Sequence, residues 1–281
     1  MLTKLDVLGL RTFAPTLPLD DGGIAVNDPL QILKIDGLDP VKAAITTTPF
    51  GAFDGEAYMG SSVGKRNIVL TIGLNPDWKT QTYEELRQLL YNYFMPKLFV
   101  RLQFTSTHLP VCQIDGYVES MEPNMFSKSP QVAVSIICPR PDFVAVDKTT
   151  ITGTTNDGSS STEADYIGSV TTGVVIKVTQ ATGTPGEDTI QVNFVCEYES
   201  QVFASKGNLT PTVYFEMSSV PGEKYVHSVS TALGTITNYL NSVAVDADWL
   251  ELYPGRNAVS VITPVVGQNW ELSYFARFGG L

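Results

Sequence analysis

The 281-residue sequence has little charge, and most of what it has is negative. Charged residues make up 17% of the chain, against about a quarter in typical proteins. Lys and Arg number 18 against 29 Asp and Glu, which gives a formal net charge of −11. Proteins that bind nucleic acid normally present a basic face, because contacts with phosphates supply much of their affinity. The composition therefore argues against sequence-specific nucleic acid binding and equally against docking on an anionic membrane.

The acid excess lies mainly in the second half of the chain. Residues 1–145 contain 12 Lys and Arg against 15 Asp and Glu, a difference of −3, whereas residues 146–281 contain 6 against 14, a difference of −8. The one adjacent basic pair, Lys65-Arg66, opens a strand-like run. A single basic pair does not make a basic stripe, so it is not interpreted as a contact for DNA.

Cysteine is scarce, and long apolar runs are absent. Cys112, Cys138 and Cys196 are isolated, form no CxxC pair for zinc, and are typical of a reducing compartment. Cys112 and Cys138 lie in or beside apolar runs, which predicts small core residues. No segment approaches the roughly 18–20 apolar residues of a membrane span, and the start MLTKLDVLGL lacks the pattern of a signal peptide. We therefore expect a soluble protein made in the cytoplasm.

Few residues are suited to catalysis. The two histidines, His108 and His227, neighbour no nucleophile signature such as GxSxG, and no glycine-rich phosphate loop is present. Glu197 and Glu199 fall on one face of a predicted strand, so their carboxylates would point the same way rather than across a cleft. We therefore predict no enzyme activity, no catalytic residue and no cofactor.

One acidic and one aromatic cluster suggest other functions. Asp246 and Asp248 offer oxygen ligands for calcium, but the EF-hand spacing is missing and an ordinary polar turn is the preferred interpretation, so no metal site is predicted. Trp249 and Trp270, with Tyr253, have rings of the kind that stack on sugars, although aromatic residues at strand ends more often pack in a core or at its rim. A carbohydrate-binding β-sandwich is therefore an alternative function.

Thr, Ser, Gly, Val and Asn are abundant, a mixture that favours β-strands and turns. Residues 65–74 alternate clearly, with Ile68, Leu70 and Ile72 on one face. Six further strand-like runs occupy residues 3–10, 30–35, 41–48, 97–104, 111–120 and 131–138. Residues 49–64 carry four glycines and almost no periodicity, so they are predicted to form a long surface loop.

One segment, residues 82–94, is predicted to be a helix. Thr82 followed by Glu85 forms a capping box, and Pro96 ends the helix. Its apolar residues recur at helical spacing as a single stripe that is suited to packing across a sheet. The stripe comprises Tyr83, Leu86, Leu90 and Tyr93.

Residues 147–172 form a tract rich in Ser, Thr and Gly that has few large apolar residues. Because such a tract buries little surface, we predict a linker or arm between two domains, residues 1–146 and 173–281. The second domain contains six alternating runs with turn residues between them, which predicts an antiparallel β-sandwich. The fold class is thus mainly β, with an N-terminal barrel-like or sandwich-like domain that carries one helix.

Short motifs occur along the chain in an order that resembles the distal tail proteins of long-tailed bacteriophages. The resemblance covers about residues 30–145 and 173–281, and it depends on the shared order of the motifs. The N-terminal motifs are Asp36-Gly37-Leu38, the basic strand 65–74, the helix followed by Pro96-Lys97, residues 114–119 (IDGYVE), residues 123–127 (PNMFS) and residues 134–143 (VSIICPRPDF). The C-terminal motifs are residues 248–257 (DWLELYPGRN) and residues 273–281 (SYFARFGGL).

The resemblance implies a structural protein of the virion without an active site. In this family the N-terminal domains form a hexameric ring that joins the tail tube to the tail tip or baseplate. The C-terminal domain, a galectin-like or related sandwich, carries receptor-binding or other baseplate proteins. The implied partners are therefore further copies of the chain, the tail tube protein, a tail-tip hub protein and receptor-binding proteins.

Ring assembly is also consistent with the residues themselves. A closed ring requires a head-to-tail interface on every subunit, and segments that become ordered on contact can supply it, among which residues 49–64 are a candidate. Besides the carbohydrate-binding module, another ring-forming tail tube protein remains an alternative. Such a protein would normally be a smaller chain with one domain.

Overall fold

The computed structural model describes residues 2–9, 16–20, 29–51, 54–77, 79–124, 129–156, 158–180, 186–197, 199–263 and 267–281. The chain divides into two compact units. Unit 1 comprises residues 1–146 together with Phe278–Leu281, and unit 2 comprises Asp147–Arg277. Met125, Phe126 and Ser127 of the PNMFS motif lie outside the described residues.

The described residues of unit 1 form a β-structure with one helix. Its elements are β1 Leu2–Gly9, β2 Leu17–Asp20, β3 Leu30–Asp36, β4 Ala43–Pro49, β5 Glu56–Val63, β6 Arg66–Leu74, α1 Tyr83–Phe94, β7 Phe99–Ser106, β8 Cys112–Asn124, β9 Gln131–Cys138 and the start of β10 Phe143–Thr154. Seven of these strands pair antiparallel in the order β3-β6-β9-β8-β7-β1-β2, and the start of β10 pairs with β8. No hydrogen-bonded pair joins β2 to β3 among the described strands, so the expected barrel does not close.

Alternation of apolar residues builds the core of unit 1, as the sequence predicts. Every second side chain of β6 is buried, as is every second side chain of β9, its partner. Cys112 and Cys138 are both fully buried and reduced, which confirms them as small core residues. Burial raises the pKa of the Cys112 thiol to about 11 and that of the Cys138 thiol to about 12.

The helix forms as the capping box predicts. The Thr82 hydroxyl accepts a hydrogen bond from the Glu85 amide at 3.3 Å, and the Glu85 carboxylate accepts one from the Thr82 amide at 2.8 Å. The helix ends before Pro96, with Met95 in an extended conformation. Its buried side chains are Leu86, Leu90, Tyr93 and Phe94, whereas Tyr83 of the predicted stripe is half-buried.

The prediction of a loop at residues 49–64 is wrong, because half of this segment, Glu56–Val63, is the strand β5. β5 pairs antiparallel with β4 along its whole length, from Ala43 opposite Val63 to Pro49 opposite Glu56. Among the described strands, these two form a sheet of their own. Because neither face is buried, the sequence carries no alternation from which β5 could be recognised.

Unit 2 contains two larger antiparallel sheets. Its elements are β11 Ser159–Tyr166, β12 Thr172–Gly173, β13 Val175–Gln180, β14 Gly186–Val195, β15 Ser200–Leu209, β16 Val213–Ser218, β17 Tyr225–Ser230, β18 Ile236–Asn238, a 3-10 turn Leu240–Ser242, β19 Glu251–Leu252, β20 Gly255–Ile262 and β21 Gln268–Phe278. One sheet runs β18-β17-β16-β13-β21 with β10 next, and the other runs β11-β20-β14-β15. The strands β12 and β19 form a separate pair.

Residues 147–172 do not form the linker that their composition suggested. They contain most of β10, all of β11 and the start of β12, and β11 pairs with β20 over eight residues. Only Ala164 and Tyr166 of β11 are buried, so its sequence shows little apolar alternation. β11 is held mainly by its pairing with β20, a strand far away in the sequence.

Candidate assembly surfaces

The most exposed element of unit 1 is the β4–β5 hairpin, Ala43–Val63, which we call the arm. No side chain of the arm among the described residues is buried, although several are large and apolar. Ile45 and Tyr58 are each 65% exposed, and Met59, Val63 and Phe50 are also exposed. A two-stranded hairpin is marginally stable by itself in water, and exposed apolar groups of this kind mark surfaces that contact a partner.

The register of the arm places three of its large apolar residues, Ile45, Tyr58 and Val63, on one face. Ala43 opposes Val63, Ile45 opposes Ser61, and Thr47 opposes Tyr58, and directly opposed residues share a face. An irregularity between Thr46 and Thr47 keeps Tyr58 on that face, where its hydroxyl donates to Ser61 at 2.8 Å. The arm has Asp54 and Glu56 and no Lys or Arg. It therefore presents an apolar stripe with an acidic tip.

The base of the arm is held by Arg66, which is 1% exposed. Its guanidinium donates to the carbonyl of Pro141 at 2.6 Å, of Gly37 at 2.6 Å and of Asp39 at 2.7 Å, and also to that of Gly279. Burial lowers the pKa of the Arg66 guanidinium from its ordinary value. The carbonyl bonds satisfy the charge in place of a carboxylate.

The residues around Arg66 fit closely. The guanidinium lies 4.5 Å from the centre of the Phe143 ring, a cation–π contact. Gly37 has a φ of +92°, and a Cβ there would lie 2.0 Å from the Asn67 carbonyl oxygen, so only glycine fits. The Leu281 amide donates to the Leu38 carbonyl at 3.1 Å. We call Arg66, residues 37–40, Pro141 and residues 279–281 the clasp.

The clasp unites motifs that are far apart in the sequence. The motifs at residues 36–38, 65–74, 134–143 and 273–281 each contribute at least one residue to it. This role of Arg66 was not predicted from the sequence, although the signal was present. Arg66 precedes the inward-facing Ile68 and Leu70 by two and four residues in β6. Alternation along a strand therefore places its side chain on the core face. A buried Arg66 is not available to contact DNA.

Unit 2 has its own exposed apolar surface, at the edge of a sheet. Among the described strands of unit 2, β18 pairs only with β17 and lies at the end of its sheet, and its three residues are exposed. Residues 231–251 contain no Lys or Arg and three acidic residues. The apolar side chains exposed in this stretch, which we call the edge patch, are Leu233, Ile236, Leu240 and Val245.

The aromatic residues considered for sugar binding are placed differently from one another. Trp270 is 2% exposed, so it is a core residue and has no free face for a sugar. Trp249 is half-buried, lies 6.0 Å from the Phe203 ring and has the Lys224 ammonium 5.1 Å from its centre. The Tyr253 hydroxyl donates to the Glu199 carboxylate, and this bond raises the pKa of Tyr253 to about 12. The structure therefore does not bring these three rings together on one open face.

The ionisable residues considered for catalysis or metal binding lie in turns or contact neighbouring side chains and do not form a common site. Glu197 and Glu199 lie in the turn between β14 and β15, and the prediction that they share a strand face is wrong. Asp248 accepts a hydrogen bond from the Val202 amide at 3.1 Å, as an ordinary turn residue does. His227 stacks on Tyr225 with ring centres 4.3 Å apart, and its Nε2 lies 3.4 Å from the Glu216 carboxylate. His108 is exposed after β7.

Within the part of the chain that the structure describes, no group of three or more His, Cys, Asp or Glu side chains is arranged to hold a metal ion. In the same ranges, no helix has the length and apolar character needed to cross a bilayer.

Comparison with known proteins supports the resemblance inferred from the motifs. Residues 19–138 match the family described as the phage tail protein RIFT-related domain. The fold is similar to that of the Dit protein of phage SPP1, described as a paradigm of the hub adsorption apparatus in phages that infect Gram-positive bacteria. The TM-score is 0.64 at 12% identity, and the match covers 98% of this chain and 99% of that chain.

Other solved structures match this chain more weakly. A chain of the phage P2 baseplate in its activated conformation with Ca aligns over 100% of both chains at 9% identity, with a TM-score of 0.45. A fructofuranosidase from Schwanniomyces occidentalis aligns with 65% of its length at 8% identity, with a TM-score of 0.23. No curated protein matches the sequence. The family match and the fold similarity bear out the resemblance to phage tail proteins, and the mainly β fold of the described residues agrees with them.

Proposed function

We propose that this chain is a non-enzymatic structural protein of a phage tail, a distal tail protein that assembles into a hexameric ring between the tail tube and the baseplate or tail tip. The observation that carries the proposal is the arm, because its apolar stripe is exposed on a unit whose residues 19–138 match a phage tail domain. A stripe of this kind needs a partner surface in the assembled particle. The protein then functions as part of the virion, after the tail has assembled in the host cell.

The first proposed partner is another copy of the chain. We propose that the arm contacts a different surface of the neighbouring copy, which makes the contact head-to-tail, and repeated head-to-tail contacts close into a ring when the rotation permits. Size-exclusion chromatography with light scattering, together with negative-stain images, tests this directly. A ring of about six times the chain mass of 30.6 kDa is expected. A strict monomer at every concentration would contradict the ring.

The second proposed partner is a tail-tip or receptor-binding protein, held by unit 2. The edge of β18 offers unpaired backbone groups for an added strand, and the edge patch offers apolar contacts beside it. Unit 2 has 6 Lys and Arg against 14 Asp and Glu, a difference of −8. We therefore propose a partner that adds a basic, extended segment to β18, since opposite charge directs such encounters.

Co-purification with the tail-tip proteins of the same phage tests this second contact. Ile236→Lys and Val245→Lys are expected to abolish capture. Ile167→Lys is the matched control, because Ile167 is also an exposed apolar residue of unit 2 but lies outside the edge patch. Equal loss with the control variant would refute the edge patch as the contact.

A further inference from the structure

The clasp holds both ends of the arm. β3 ends at Asp36 and β4 begins at Ala43, so residues 37–40 lead into the arm. β5 ends at Val63 and β6 begins at Arg66, so Arg66 stands at the exit of the arm. The guanidinium of Arg66 donates to the carbonyls of Gly37 and Asp39, and it therefore joins the exit to the entrance by two hydrogen bonds.

Residues 279–281 also belong to the clasp, although they lie more than 200 positions after Arg66 in the sequence. Gly279 accepts a hydrogen bond from Arg66, and the Leu281 amide donates to Leu38. Gly280 packs against the entrance of the arm, since a Cβ on it would lie 2.8 Å from Pro40 Cδ and 3.0 Å from the Leu38 carbonyl oxygen. These residues therefore strap the segment that leads into β4.

From these contacts we propose that Arg66 and residues 279–281 are positioning elements that fix the direction of the arm for assembly. The arm pairs with no other sheet and buries none of its described side chains, so its own packing does not orient it. The clasp at the base of the arm constrains its direction through buried hydrogen bonds. Loss of these bonds would leave carbonyl groups and the charge of Arg66 unpaired. A fixed arm meets its partner without a large loss of conformational entropy. The inference that a fixed arm promotes assembly rests on the proposed function, whereas the inference that the clasp fixes the direction of the arm does not.

The test uses the full chain with two spin labels and measures the distance between them by pulsed electron paramagnetic resonance. Ser61→Cys places one label on the arm, and Glu122→Cys places the other on β8, where both parent residues are exposed. Cys196 is replaced by Ser, and the buried Cys112 and Cys138 remain. The measurement is made at a concentration at which the chain is monomeric, so it does not depend on ring formation.

The informative variant is Gly280→Val, which introduces a side chain where Pro40 and Leu38 leave no room. Gly64→Val is the matched control, because a Cβ at Gly64, on the exit side of the arm, has no heavy atom within 4 Å. Deletion of residues 279–281 is the second informative variant. Arg66→Met removes all four hydrogen bonds but also disturbs a core position, so circular dichroism and thermal unfolding must first show that it folds.

The distance distribution is expected to be narrow in the parent protein and in Gly64→Val, and to broaden in Gly280→Val and in the deletion variant. Ring formation should be lost in the variants that broaden. If the parent protein forms no ring but Gly280→Val still broadens the distribution, the proposed function fails and the positioning role stands. An unchanged distribution in both Gly280→Val and the deletion variant would overturn the positioning role.

Discussion

Two antiparallel hairpins of unit 1 differ in what stabilises them. β8 and β9 pair with each other and with further strands on both sides, and alternate residues are buried throughout β9 and in β8 from Cys112 to Val118. The arm has comparable cross-strand pairing but no third strand and no buried side chain among those described. The comparison shows that hydrogen-bonded pairing alone does not identify a part of the folding core. We infer that β8 and β9 maintain the fold, whereas the arm is available to contact another chain.

The largest expected difference between the two hairpins is in their contribution to stability. Ile136 in β9 is fully buried, and Ile45 in the arm is 65% exposed. Ile136→Ala should lower the free energy of unfolding by about 2–5 kcal/mol, because it leaves a cavity in a packed core. Ile45→Ala should change it by less than about 0.5 kcal/mol. Urea unfolding followed by circular dichroism measures both, and similar losses would contradict the division between core and arm.

Assembly should show the opposite dependence. Ile45→Glu places a carboxylate on the apolar face of the arm and should weaken ring formation about tenfold or more, because burying an unpaired charge is costly. Thr46→Glu is the matched control, since Thr46 is also exposed but opposes Gly60 on the other face. Light scattering over a dilution series gives the two association constants. Equal weakening by both variants would show that the apolar face is not the contact.

Thiol reactivity offers a third comparison. Burial raises the pKa of the Cys112 and Cys138 thiols to about 11 and about 12, so neither should react with a disulfide reagent at pH 8 until the protein unfolds. A cysteine placed in the arm as Ser61→Cys should react at once in the monomer and slowly in the ring. Rapid reaction of Cys138 in the folded protein would contradict the buried position of β9.

The same two thiols predict how stability depends on pH. Their folded-state pKa values lie above the ordinary value of 9.0, so the folded chain holds these protons to a higher pH than the unfolded chain does. The free energy of unfolding should therefore be unaffected by them below about pH 9 and should fall as the pH rises above it. Cys112→Ala and Cys138→Ala, each compared with the parent protein in urea unfolding at several pH values, should flatten this decline. An equally steep decline in both variants would contradict the assignment to these thiols.

The sequence predicts the elements whose pattern reflects their own burial. The alternation in 65–74 and 131–138 corresponds to β6 and β9, and the capping box at Thr82 corresponds to the start of α1. Both signals are local, because one face of each element meets the core of the same unit. The resemblance to distal tail proteins depends on these elements and on the motifs between them.

Elements whose sequence shows no alternating apolar face could not be predicted in the same way. β5 has no buried face, and β11 is held mainly by pairing with β20. β15 was not predicted because several of its buried residues are small or polar, namely Gln201, Ser205 and Gly207. The clasp is an intermediate case, because the parity of Arg66 indicates burial but nothing local indicates its carbonyl partners. Those partners come from three separate parts of the chain, and only the fold brings them together.

Hydrogen–deuterium exchange of the dissociated chain and of the assembled ring tests the central claim most directly. The amides of the arm should exchange rapidly in the dissociated chain and slowly in the ring, because the ring covers the arm. The amides of β8 and β9 should exchange slowly in both states. If the arm exchanges at the same rate in both states while protection appears elsewhere, the arm is not the element through which the chain assembles.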